Sequence, residues 1–344
     1  VGGGGAVSAV RDLVALLAGR QDPAALAPRA WDGVISVARA EALLGTLACR
    51  LAEARLPPPV AALFADQRAA VAIAQAQALW EAEMARRALA SERLEFVLLK
   101  GTAYAAAGLS CSEGRQIGDL DILIPWHEVG RVENELLESG WEWVKSDPYD
   151  DAYYREHMHE LPPMIHRSRD RMIDVHHTIL PRTHRRTPDP LVLVSEAVAT
   201  ADGFTVLCPV DMVCHCAAHL LADGDLQGGL RNLWDFHCLT RDFAAADPDF
   251  WDRLAARADK HELGPEVARA ARLAQALYGA TLPAGWSQPR AADRLYVRRL
   301  LARDDWGRPT DFLLQQAFYI RSHWMRMPPV LLARHLWTKW RRNQ

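Results

Sequence analysis

The sequence predicts an α/β (α+β) core with a mixed sheet, flanked by an N-terminal and a C-terminal helical region. Three observations predict it. Residues 7–92 place apolar side chains at three- and four-residue spacing, as in Leu13, Leu16 and Leu17 or Leu43, Leu44 and Leu47. From Glu95 the texture changes to short, dense apolar runs separated by glycine and charge. After Pro188 the helical texture returns. The expected boundaries are 1–92 for the first helical region, 93–188 for the core and 189–344 for the second helical region.

Each element follows from local chemistry. Asp22-Pro23 and Pro57-Pro58-Pro59 interrupt the first region, because proline lacks the N–H a helix interior needs, and about four helices result. EFVLL (95–99) reads as a buried strand, Lys100-Gly101 as a turn, and Thr102–Ala107 as a short helix. DLDILI (119–124) is a second strand. Residues 127–140 form a helix that stops at Gly140, a residue suited to the left-handed C-cap. WEWVK (141–145) is a third strand, a polar aromatic loop runs to about Glu160, and RMIDVHHTI (171–179) is the last strand. Beyond Pro188, residues 211–222 and 229–243 are the clearest helices.

Composition excludes several classes. The 344 residues are 50% apolar and 24% charged with a formal net charge of −3, so the chain does not coat nucleic acid through overall charge. No run of about twenty apolar residues is present, and no transmembrane segment is expected. The cysteines at 49, 111, 208, 214, 216 and 238 form no CxxC pair and read as reduced thiols of a cytoplasmic protein. The opening VGGGG has neither an initiator Met nor a signal-peptide pattern and is set aside as a cloning remnant or frayed end. Lysine is scarce, so Lys100 stands out among abundant arginines.

The second strand carries the chemical question. Asp119 and Asp121 are two residues apart and therefore share one strand face. Two carboxylates side by side repel, and burying them requires compensation. A divalent cation with oxygen ligands, Mg²⁺ in particular, resolves the repulsion. Asp174, in the apolar run MIDVHH, is the candidate third carboxylate. The pair alone is equally compatible with two surface aspartates on an edge strand. The upstream turn favours the metal reading. Gly101 permits close backbone approach to a phosphate, the helix start offers N–H groups, and Thr102 adds a hydroxyl. Lys100 and Arg115 supply positive charge near the phosphates or aspartates.

The combination LLKG…R…GDLDILI…IDVHH resembles the nucleotidyltransferase superfamily of the DNA polymerase β type. It is most similar to the bacterial branch with an LKG…R…DxD…DxH pattern, and the shared segment covers about Phe96 to Leu180. The resemblance implies metal-assisted transfer of a nucleoside monophosphate from an NTP, ATP foremost, to an acceptor hydroxyl, with release of pyrophosphate. Mg²⁺ or Mn²⁺ is the implied metal. Asp119 and Asp121 match the two metal-binding carboxylates, Asp174 the third, and Gly101-Thr102 the superfamily's Gly-Ser pair. The gap from Gly101 to Asp119 exceeds that of minimal members.

Other residues carry weaker signals. His157, His159 and Glu160 could line the acceptor site or belong to a polar loop. His176 shares the face of Asp174 and could orient it, whereas His177 faces away. Cys214, His215, Cys216 and His219 lack zinc-site spacing and read as helical core. His219, Arg231 and Asp235 are candidates for a nucleotide- or acceptor-facing wall. Residues 312–344 hold six Arg or Lys and no acid, with Trp324, Trp337 and Trp340 interleaved. That tail suits a docked helix, RNA, a membrane surface or an acidic partner. The expected acceptor is a small molecule or peptide. An RNA-modifying toxin and a non-catalytic nucleotide-binding scaffold are the rivals.

Overall fold

The computed structural model describes residues 9–144 and 148–327, without the side chains of 148–150 and 223. Four helices open it: α1 (Ala9–Leu17), α2 (Ala30–Ala40), α3 (Leu44–Arg50) and α4 (Pro58–Leu89). Pro57 and Pro58 start α4, where the missing proline N–H is no loss. The 32 residues of α4 span ~48 Å. The three- and four-residue spacing of α1 puts Leu13, Leu16 and Leu17 at 0–1% exposure, so its apolar stripe is wholly used for packing.

The sheet section follows in chain order as β1 (Val97–Leu98), α5 (Lys100–Ala106), β2 (Leu120–Leu123), α6 (Val129–Glu138), β3 (Trp141–Trp143), α7 (Pro148–His157), β4 (Met164–His166) and β5 (Met172–His176). Then come α8 (Pro190–Ser195), β6 (Val198–Ala199), β7 (Thr205–Val206) and α9 (Pro209–Ala217), which runs on as a π-helical turn over Ala218–Asp223. Five helices complete the described chain: α10 (Gly229–Ala246), α11 (Phe250–Lys260), α12 (Gly264–Tyr278), α13 (Asp293–Leu301) and α14 (Phe312–Arg326). None of the described helices is long and apolar enough to cross a membrane.

The seven strands form one mixed sheet in the order β3-β4-β5-β2-β1-β7-β6. β2 lies between β5, to which it is parallel, and β1, to which it is antiparallel. The expected mixed α/β core with helical flanks is therefore the fold observed. Three details differ from the sequence expectation. The stretch expected as a loop up to Glu160 contains α7, and β4 follows it to pair with both β3 and β5. PYDDAYYREH has no apolar stripe, so periodicity could not reveal that helix. The segment after Pro188, expected to be helical, contributes the β6–β7 hairpin, and Leu98 pairs with Val206. Two-residue strands are too short for alternation to register.

The helical flanks and the sheet share one contiguous apolar core. Buried polar links fasten the two flanks to each other. Glu41 accepts from Arg303 Nε at 2.8 Å and from the Leu230 N–H at 3.2 Å, and Arg231 Nη1 donates to Thr46 Oγ1 at 2.6 Å. Gly45 and Gly114 meet back to back. A Cβ on either would lie 2.2–2.3 Å from the other's carbonyl oxygen, and Gly114 has φ +68°. Only glycine fits both positions, and the contact fixes the loop that delivers Arg115. The six cysteines are free thiols, five of them buried.

Candidate active site

The parallel pairing of β2 with β5 sets Asp121 directly opposite Asp174. Asp119, two residues before Asp121, falls on the same face. One carboxylate oxygen from each of Asp119, Asp121 and Asp174 lies within 4.8 Å of the others. Asp119 is exposed, Asp174 half-buried and Asp121 only 3% exposed, so the ledge opens to solvent at one end.

The charges on this ledge are unequal. Asp121 is held below the usual carboxylate range. Burial opposes that, but the Lys100 charge and hydrogen bonds from His176 and Lys100 outweigh it. Lys100 Nζ donates to Asp121 Oδ1 at 2.7 Å, and His176 Nε2 lies 2.9 Å from the same oxygen. Burial works against the Lys100 ammonium, yet Asp121 raises it above its ordinary value. Asp174 is pushed up to about 7, first by burial and then by the negative charges of Glu160 and Asp121. Asp119 is raised as well, by desolvation and by Asp121. Lys100 thus faces the carboxylates of Asp121, Glu160 and Asp119. Three converging oxygens with excess negative charge fit a hard divalent cation, and Asp119, Asp121 and Asp174 are the residues that would hold it.

The upstream turn departs from expectation in two ways. Lys100, expected at a phosphate, is instead ion-paired with Asp121, and its backbone sits at φ +49°. Arg115, also expected near phosphate or the aspartates, is ion-paired through Nη1 with Asp235 of α10, while its Nε is buried without a hydrogen-bond partner. Gly101 serves that arrangement, since a Cβ there would lie 2.8 Å from Arg115 Nε. Thr102 behaves differently: it is 1% exposed and its Oγ1 has no hydrogen-bond partner.

The remaining candidates separate clearly. Arg231 and Asp235, expected as pocket wall, form a buried brace in which Asp235 accepts from both Arg115 and Arg231. His176 pairs with Asp121, not with Asp174 as anticipated. His177 turns away, with its ring 4.5 Å from Trp126, beside a cavity of about 290 Å³ that Arg182 and Arg186 also line. His159 and Glu160 are drawn over β5 by the Glu160–His176 bridge and by the His177 N–H bonding to the His159 carbonyl at 2.9 Å. His157 stays at the end of α7, its ring 5.5 Å from Tyr153. Cys214 and Cys216 are buried core, as expected. Burial, and then the charge of nearby Lys100, hold the His215 imidazole well below its ordinary value, a proximity no sequence signal announced. A cavity of about 630 Å³ lies against α1 and α2 and includes none of the ledge carboxylates. Of the basic tail, α14 stacks Trp324 under Arg185 at 4.6 Å, and residues 328–344, with Trp337 and Trp340, lie outside the described residues.

A mixed sheet with three aspartates converging on or beside two adjacent parallel strands, and helical flanks on both sides in the chain, defines a nucleotidyltransferase-type α/β protein. The chain belongs to the family described as uncharacterised nucleotidyltransferase, whose model matches residues 27–279. That span takes in most of the N-terminal helices and runs through α12, well beyond the segment that carried the sequence resemblance. No curated protein matches the chain.

Proposed function

We propose that the protein is a Mg²⁺- or Mn²⁺-dependent enzyme that transfers a nucleoside monophosphate from an NTP, ATP foremost, to the hydroxyl of a small molecule or peptide in the cytoplasm. The observation that carries this reading is the convergence of Asp119, Asp121 and Asp174 within 4.8 Å on neighbouring strands. A divalent cation bound there would neutralise phosphate charge and polarise the phosphoryl group under attack. Asp121, fixed by Lys100 and His176, is the permanently ionised member. Asp174, half-buried beside Asp121, is the member we assign to take the proton of the acceptor hydroxyl.

On the phosphate side, the start of α5 presents the Gly101 and Thr102 N–H groups, and the buried Thr102 hydroxyl lacks an acceptor until a ligand provides one. Lys100 and Arg115 act through their fields, since their direct contacts are with Asp121 and Asp235. The test is incubation with each α-labelled NTP, Mg²⁺ and fractionated small-molecule and peptide extract. Label transfer with equimolar pyrophosphate supports the reading. Phosphate release without transferred nucleotide would replace it with hydrolysis.

A further inference from the structure

Beside the carboxylate ledge stands a second constellation of different chemistry. His159, Glu160 and His176 each offer one donor atom within 4.8 Å of the others. We propose that these three residues form a separate site for a borderline transition metal, Zn²⁺ by preference, distinct from the hard-cation site of the aspartates.

The placement is imposed by the sheet. Glu160 bridges His176 across an antiparallel step, and the Leu161 N–H bonds to the Val175 carbonyl at 2.9 Å. The two imidazoles stack at 5.2 Å between ring centroids. Glu160 Oε2 lies 3.4 Å from His176 Nδ1 and 3.7 Å from His159 Nε2. Ligands about 2.0–2.1 Å from a tetrahedral zinc stand ~3.4 Å apart. The observed separations match that edge to within a few tenths of an ångström.

A second observation points to a ligand. His176, 1% exposed, faces Glu160 through an Nδ1 atom that is buried with no hydrogen-bond partner, and His159, 8% exposed, faces the same carboxylate through Nε2. Buried ring nitrogens left unsatisfied are costly, and such groups in folded proteins are nearly always paired. A metal at His176 Nδ1 satisfies that atom. At the other end of the ring, Nε2 lies 2.9 Å from Asp121 Oδ1. A metal-bound histidine whose second nitrogen donates to a carboxylate is the arrangement that fixes the ring and raises its basicity. Two imidazoles and one carboxylate select zinc-like ions over Mg²⁺, which prefers oxygen and water. Three protein ligands leave a fourth position for water or an acceptor oxygen.

The test reads metal binding without turnover, so it stands or falls independently of nucleotidyl transfer. Metal-stripped protein is titrated with Co²⁺ in excess Mg²⁺, the visible bands of tetrahedral Co²⁺ are followed, and Zn²⁺ is used as competitor. We expect one equivalent per chain, displaced by Zn²⁺. His159→Gln and Glu160→Gln should weaken binding by at least about a hundredfold, while Asp119→Asn should leave it within about threefold. X-ray absorption on zinc-loaded wild type should count two imidazoles, which decides the matter even if a histidine variant fails to fold. An oxygen-only shell, or binding lost in Asp119→Asn but kept in His159→Gln, places the ion on the aspartate ledge and overturns the proposal. So does the absence of stoichiometric binding, which would leave His159, Glu160 and His176 as a hydrogen-bonded support for Asp121.

Discussion

Two aspartate-centred clusters lie close to α5 and use the same residue types to opposite ends. Around Asp235, one carboxylate is shared by two guanidinium groups, Arg115 and Arg231, with Thr46 completing the shell. Around Asp121, one lysine faces three carboxylates, those of Asp121, Glu160 and Asp119. Asp235 sits in positive excess deep in the core, 1% exposed, and nothing further can approach it. The ledge sits in negative excess and opens through exposed Asp119. Both clusters contain Arg or Lys with Asp, and both are buried at their centre. Charge balance and access, more than residue identity, distinguish a brace from a site that awaits a cation.

The comparison can be broken most decisively at the ledge. Asp119→Asn should lower pyrophosphate-releasing turnover by roughly a thousandfold or more, ~4 kcal/mol of barrier, with little change in the unfolding curve. Asp119 is the better probe than Asp121, whose loss also strands Lys100. Unaltered turnover in Asp119→Asn would remove the ledge from the mechanism. Asp235→Asn should do the reverse. It leaves Arg115 and Arg231 buried without their counter-charge and should cost about 3 kcal/mol in chemical denaturation, and a loss below about 1 kcal/mol would show that the brace is dispensable.

A third, smaller effect depends on pH. Asp174 titrates near 7 in the folded chain against about 3.9 when unfolded, so the folded state holds the extra proton between those values. Metal-free stability should therefore fall as pH rises from about 4 to about 7 and stay low above that. Asp174→Asn should stabilise the metal-free protein at pH 8 by about 2 kcal/mol, after discounting a full ~4 for solvent access, and change nothing near pH 4. An equal gain at both pH values would refute the charge explanation. The smallest effect is at Thr102. Thr102→Val keeps the shape and removes an orphaned hydroxyl, so the free protein should be no less stable while Mg·ATP affinity falls about tenfold, ~1.4 kcal/mol. Calorimetric titration decides it, and unchanged affinity moves the phosphate site elsewhere. Gly101→Val would be a poor probe of the same turn, because its side chain would collide with Arg115.

What the sequence determined by itself is what local periodicity encodes. Alternation along a strand put Asp119 and Asp121 on one face and turned His177 away from His176, and three- and four-residue spacing marked the four N-terminal helices. The aspartates, the glycine turn and the family resemblance were legible for the same reason: each lies within a few residues of its defining neighbours. Partner choice was not. Arg115 meets Asp235 across 120 residues of chain, Glu41 meets Arg303 across 262, and Asp121 takes His176 from the neighbouring strand 55 residues on. An ion pair is chosen by which charges the packed elements deliver to one place, and that delivery depends on strand register, helix docking and contacts such as Gly45 on Gly114. The same holds for His159 and Glu160, which read as loop residues in the chain. Only the pairing of their segment with β5 sets them beside the ledge.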